Sequence, residues 1–393
     1  MKKIILLCFL SPRSIKALAA ILIIFSASSK GSGFAKAGNY PDTAVTVLNK
    51  PVKINVYPVI NKSNSNAKIY IETMGIGNKP IVLPMIFDTG SAGVSIYAEA
   101  VFPESIVDTT GFKFKNGKDT IQYMGITITK LNIQKTYGAA GKTVTRVTGN
   151  IGYASLTVGD SSGAVKMQRI PILFFYNKLA NGKQRVNNIN SIFGVDPAYG
   201  NAQQIANPVN LYREISPFKY LNYSGGLIAG YKLDKIILTG CNIRVPGDCT
   251  PKALLTIGLT AQDESLYTMN SLNRQRPLPI DGPDTQINPA YNEFDPAIPG
   301  CVINAGTANW EEKVLLDSGN PGVLLNLSQD VVNNAGSTIR LTTPSQASFS
   351  YDCKAVNYKT TFNPFNKRSI FGIYFFTNFD FLEDYQNGAI GLK

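Results

Sequence analysis

Short runs in which apolar and polar side chains alternate recur along the chain, separated by Gly, Asn and Pro. Lys68-Ile-Tyr-Ile-Glu-Thr-Met-Gly-Ile-Gly77 and Ile121-Gln-Tyr-Met-Gly-Ile-Thr-Ile-Thr-Lys130 are two of them. A period of two puts one set of side chains on each face, the pattern of a half-buried strand, so both runs read as strands. Sustained helical periodicity is scarce; short helices are expected only near Pro208 to Glu214 and Ser328 to Asn334. The chain is therefore predicted to be mainly β. Tyr267 to Gly300 is rich in Asn, Pro, Asp and Gly, which predicts a long loop or insertion.

An internal repeat cuts across these strands. Met85-Ile-Phe-Asp-Thr-Gly-Ser-Ala-Gly-Val94 is echoed by Val314-Leu-Leu-Asp-Ser-Gly-Asn-Pro-Gly-Val323, with acid, hydroxyl, glycine and the later Gly-Val in register. Ser191-Ile-Phe-Gly-Val195 follows the first copy and Ser369-Ile-Phe-Gly-Ile373 the second. One Asp-Thr-Gly is an ordinary turn string. Two motifs paired in the same order indicate a duplicated unit.

Composition narrows the chemistry. The 393 residues contain no histidine, which excludes Ser-His-Asp and Cys-His catalysis, HExxH zinc sites and imidazole proton shuttles. Charged residues are 16% and hydrophobic residues 44%, a globular balance. Residues 1–37 hold Lys2, Lys3, Arg13, Lys16, Lys30 and Lys36 without an acid, around an apolar stretch from Ala17 to Phe25, the layout of a secretory signal. Ser11-Pro12-Arg13 separates a second apolar patch, so neither piece reaches the roughly 18 residues of a membrane-spanning helix. Cleavage is expected after Ser28 or Ala37; an uncleaved N-terminus would instead tether the chain to a membrane. Those cations supply half of the formal net charge of +12, so the basic balance does not point to nucleic acid. Gly141-Lys142-Thr143 lacks the earlier glycine a phosphate loop needs.

Beyond the signal, Cys241, Cys249, Cys301 and Cys353 form an even set, consistent with disulfides in an oxidising compartment. Three connectivities are open; the preferred one joins Cys241 to Cys249 in a short local loop and Cys301 to Cys353. The spacing is not that of a zinc site, and neither a metal nor a cofactor is expected.

In each repeat an apolar strand delivers an aspartate, Asp88 or Asp317, at its end. Gly90 and Gly319 then permit a tight turn. If approximate two-fold symmetry brings the two carboxyls to about 3 Å, they cannot both ionise easily and share one proton. The ionised partner can take a proton from water while the protonated one donates to a peptide carbonyl oxygen. Thr89 and Ser318 are placed to bond across and fix the two loops. Ser91 can donate to the outer oxygen of Asp88, whereas position 320 is Asn.

At these motifs the chain resembles the pepsin-like aspartic proteases. Tyr70 through Ser91 is similar to the family's first hairpin and catalytic loop. Tyr137-Gly138, Thr148-Gly149-Asn150-Ile151-Gly152 and Leu156-Thr157-Val158-Gly159 resemble its flap and following strands. Ile192-Phe193-Gly194 and Ile370-Phe371-Gly372 look like the elements beneath the catalytic loops, and Phe379 through Leu392 is similar to the closing hairpin. The resemblance implies a bilobal pepsin-like acid protease fold, two related β-barrel-like lobes with a cleft between them. The expected division is 38–205 for the first lobe and 206–393 for the second, with an insertion at 267–300. It implies Asp88 and Asp317 as the catalytic dyad, and Tyr137 with Gly138, Gly90 and Gly319 against a peptide or protein substrate. Thr89, Ser91 and Ser318 would support the site. The expected protein is an exported monomeric endopeptidase, periplasmic, cell-surface or extracellular. Asn320, a short segment from Asp317 to Gly372 and Ser95 at a position where many relatives carry Trp depart from the family pattern. The alternative is an inactive pepsin-like fold used as a binding, inhibitor or surface-interaction module.

Overall fold

The computed structural model describes residues 47–61, 66–138, 144–184, 190–198, 200–207, 211–275, 293–328, 338–352, 360–364 and 367–393. The signal segment, the Gly141-Lys142-Thr143 string, the helix expected from Ser328 to Asn334 beyond its first residue, and Cys353 lie outside these.

The two copies of the repeat fold into the same strand arrangement. In the first, Lys79–Asp88 pairs antiparallel with Asn66–Ile76 and parallel with Ser191–Val195, Met85 opposite Ser191 and Phe87 opposite Phe193. In the second, Ala308–Leu316 pairs antiparallel with Ala297–Ala305 and parallel with Ser369–Phe371, Val314 opposite Ser369 and Leu316 opposite Phe371. The strand leaving each acidic turn doubles back: Val94 of Ala92–Tyr97 faces Phe193, and Val323 of Val323–Leu325 faces Phe371. Even the hydroxyls correspond. The Ser191 hydroxyl accepts from the Tyr97 N–H at 3.2 Å and the Ser369 hydroxyl from the Asn326 N–H at 2.9 Å, each N–H at the same offset from its aspartate.

The fold is mainly β, with the two copies in separate sheets. The first belongs to a closed, barrel-like sheet that also includes the long strands Ile126–Tyr137, Thr145–Asp160 and Gly163–Ala180. The second belongs to a seven-stranded sheet that begins at Ala297. Ile228–Leu233 and Lys252–Leu259 join the barrel-like sheet through Val52–Asn61, and the terminal hairpin Phe381–Asp384 with Ala389–Leu392 joins it through Ile228–Leu233. Met85, Phe87 and Val314 are fully buried and Leu316 nearly so, which anchors each acidic turn in packed core. Phe87 packs edge-on against Tyr231, ring centroids 5.5 Å apart, while Phe371 meets Phe349 at 6.1 Å in the second sheet.

Four expectations are corrected. Ile121–Lys130 is not one strand but a hairpin, Thr120–Tyr123 with Ile126–Tyr137, because Met124 and Gly125 both take positive φ and turn the chain. The expected helix ending at Glu214 is a strand over Leu211–Glu214. It pairs with Gly200–Gln204, and burial of Tyr212 and Glu214 selects a period of two over 3.6. The 267–300 region is not all loop: Thr268–Ser271 pairs with Ala389–Leu392, and the strand Ala297–Ala305 starts inside it. The Cys241–Cys249 disulfide is formed, with Cα atoms 5.4 Å apart, but Cys301 is a free buried thiol that donates to the Ile298 carbonyl. Its expected partner, Cys353, lies outside the described residues.

Candidate active site

Each aspartate is presented by a buried apolar strand at a turn tied to the other turn. The Thr89 hydroxyl donates to the Leu316 carbonyl at 2.8 Å and accepts from the Ser318 N–H at 2.9 Å. Reciprocally, the Ser318 hydroxyl donates to the Phe87 carbonyl at 2.8 Å and accepts from the Thr89 N–H at 3.1 Å. Both hydroxyl residues are buried, so the four bonds run without competition from water and lock the loops to each other.

That lock brings the carboxyls together. Asp88 and Asp317 lie close enough for their side chains to interact directly. The intervening space is filled: a Cβ on Gly90 would lie 2.3 Å from the Asp317 carboxyl carbon, and one on Gly319 would lie 2.5 Å from that of Asp88. Only glycine lets each backbone pass this close to the opposite acid.

The two acids are solvated differently by the protein. Asp88 accepts from the Gly90 N–H at 2.9 Å and from the Ser91 hydroxyl at 2.7 Å, donors on both oxygens that favour negative charge there. Asp317 accepts from the Gly319 N–H at 2.8 Å, but Asn320 turns away and its side-chain oxygen accepts from the Gly322 N–H at 3.2 Å. Burial, then the neighbouring Asp88 charge, pushes Asp317 well above the usual carboxylate range.

Tyr137 ends the strand Ile126–Tyr137, and its hydroxyl donates to the buried Ser95 hydroxyl at 2.7 Å, on the strand that leaves the Asp88 turn. Burial raises the phenol to about 12, so it stays a donor. Gly138 follows at positive φ, exposed. The structure therefore brings Asp88, Thr89, Gly90, Ser91, Asp317, Ser318 and Gly319 into one cluster and fixes Tyr137 on Ser95 beside it.

Three groups escaped the sequence reading. Lys68, half-buried on Asn66–Ile76, donates to the Gly319 carbonyl and interacts with both aspartates; burial lowers its amine, and the two acids oppose that. Lys135 and Glu214 form a buried ion pair at 2.6 Å, and the Lys135 ammonium sits 5.0 Å from the Tyr137 ring centroid. Beneath Ser191–Val195, burial pushes Asp196 up to about 7 and Lys219 down to about 8. Charged residues at inward positions are the only trace these leave in the sequence. Among the described residues no group of three or more acid or thiol side chains is arranged to hold a metal ion.

The chain matches no protein-family model and no curated protein. Among solved structures it is similar to the aspartic proteinase from Irpex lacteus, at 12% identity and a TM-score of 0.48, over 87% of this chain and 97% of that one.

Proposed function

We propose that the protein is an aspartic-type endopeptidase, exported and acting on an extended peptide or protein segment. The observation that supports it is the facing pair Asp88–Asp317, with two donors on Asp88 and burial that favours the neutral acid at Asp317. In this reading Asp88 takes a proton from water as the water oxygen attacks the scissile carbonyl carbon. Asp317 gives its proton to the carbonyl oxygen, forming a neutral gem-diol and leaving the acids with exchanged protonation. Collapse reverses the exchange: Asp317 takes a proton from one gem-diol hydroxyl, Asp88 donates to the nitrogen, and the C–N bond breaks. A histidine-free chain can run both steps because the pair always holds one proton. The Cys241–Cys249 disulfide fits an oxidising compartment, in agreement with the signal-like N-terminus. Tyr137 and Gly138 would close over the substrate, which the chain would meet as a monomer.

The second reading, an inactive binding module of the same fold, is favoured by Asn320 bonding within its own turn and by Lys68 on the Gly319 carbonyl beside the pair. Cleavage of a diverse peptide library by the purified mature chain between acid and neutral pH separates the two. The endopeptidase reading expects Asp88→Asn and Asp317→Asn each to reduce kcat by at least about 10²-fold with the fold intact. It also expects a statine-type transition-state mimic to inhibit the parent. No cleavage by the parent, or equal cleavage by parent and variants, rejects it.

A further inference from the structure

We propose that Lys68 is a positioning residue of the carboxyl pair. Its ammonium holds the Asp317 turn through the Gly319 carbonyl and supplies the positive charge that lets the pair become anionic at lower pH than two carboxyls alone. The inference rests on the reading of Asp88 and Asp317 as the working pair.

The geometry carries it. Gly319 is the residue whose N–H bonds Asp317 and whose Cα packs on the Asp88 carboxyl, so a cation on its carbonyl is set into the wall of the pair. Lys68 is delivered there by Asn66–Ile76, the strand that also pairs with Lys79–Asp88 and thereby carries Asp88. One chain segment thus positions an acid of the pair and its counter-charge. Lys68 interacts with both acids, which face it from the two turns.

The other charged groups on the neighbouring elements have partners elsewhere. Lys53 pairs with Asp234, and Tyr57 donates to Glu72. Lys79 donates to the Val101 carbonyl, and Asp160 accepts from Asn55 and Ser162. The turn Ile373–Thr377, packed on the same strand, brings Tyr374 and no charged side chain. On the opposite flank Asp196 faces Asp88, with Lys219 and Arg368 near it. Among the described residues, Lys68 is therefore the cation whose charge reaches both members of the pair. A cation within a few ångströms favours carboxylate over carboxylic acid, so it opposes the mutual repulsion that would otherwise hold two protons in the site.

The test is a carboxyl titration that does not need turnover. Protein labelled with 13C at the aspartate carboxyls is titrated by NMR, with Asp88→Asn and Asp317→Asn assigning the pair's signals. Lys68→Met, which keeps the aliphatic stem, is expected to raise the pair's titration midpoints by about one to three pH units. Lys68→Arg, which keeps the charge, is expected to titrate like the parent, and Lys68→Gln serves in place of Met if that variant does not fold. Midpoints unchanged in the neutral variants, or raised as far by Arg as by Met, overturn the proposal. Shifted midpoints in a protein that cleaves no peptide uphold the role of Lys68 while rejecting the peptidase reading. Cleavage with unshifted midpoints does the reverse.

Discussion

The lock between the two acidic turns has a cost that can be worked from four hydrogen bonds. Thr89→Val replaces the hydroxyl by a methyl of nearly the same shape and removes one donor and one acceptor at once. The Leu316 carbonyl loses its 2.8 Å partner and the Ser318 N–H loses its 2.9 Å partner. Leu316 is 2% exposed and Ser318 0%, so water cannot replace either bond. A buried polar group left unpaired costs about 1–3 kcal/mol, so two of them cost roughly 2–6 kcal/mol, against about 1 kcal/mol gained from the buried methyl. A net loss of several kcal/mol is expected as a lower urea midpoint at unchanged m value, followed by circular dichroism. Thr89→Ser, which keeps the hydroxyl, is expected to lose much less. Because Thr89 and Ser318 act in one network, Thr89→Val combined with Ser318→Ala is expected to cost less than the sum of the two single changes. A Thr89→Val variant within about 0.5 kcal/mol of the parent, the usual range for a substitution that breaks nothing, would refute the claim that these bonds hold the turns together.

Asp196 gives a pH prediction whose sign is fixed. Burial raises its folded-state value to about 7 from an ordinary 3.8, so between those values the folded chain binds more protons than the unfolded chain. Stability is then lost as pH rises through that window, and Asp196→Asn is expected to flatten this decline in denaturation curves taken from pH 4 to 7; a parallel decline in parent and variant would count against it. The Lys135–Glu214 pair, at 2.6 Å with both side chains about 5% exposed or less, supports the strand that ends in Tyr137. Lys135→Met or Glu214→Gln alone is expected to cost roughly 3–5 kcal/mol by stranding a buried charge, and the double variant less than either, measured as a double-mutant cycle of urea unfolding. Additive losses would mean that the two side chains do not sense each other.

The amino-acid sequence determined by itself the parts that depend on local pattern and on duplication. Alternation marks the strand from Lys68, and the paired Asp-hydroxyl-Gly motifs with their Ser-Ile-Phe-Gly partners name the residues that the two strand sets bring together at the site. The nearby spacing of Cys241 and Cys249 likewise suffices for a local disulfide. Sequence pattern misleads where a neighbouring strand, not the segment itself, chooses the conformation. Leu211–Glu214 becomes a strand because Gly200–Gln204 offers it an edge, and the run from Ile121 folds back because Met124 and Gly125 adopt positive φ.

Tertiary structure alone decided the electrostatics. Lys68 and Asp317 are far apart along the chain, as are Lys135 and Glu214, and nothing local to either lysine says which acid it will meet. Burial and proximity also make the equivalent acids of the two copies unequal: Ser91 donates to Asp88, whereas Asn320 bonds within its own turn and burial pushes Asp317 up. Hydrophobic periodicity is written residue by residue, but a charge acquires its energy from whatever the fold sets opposite it.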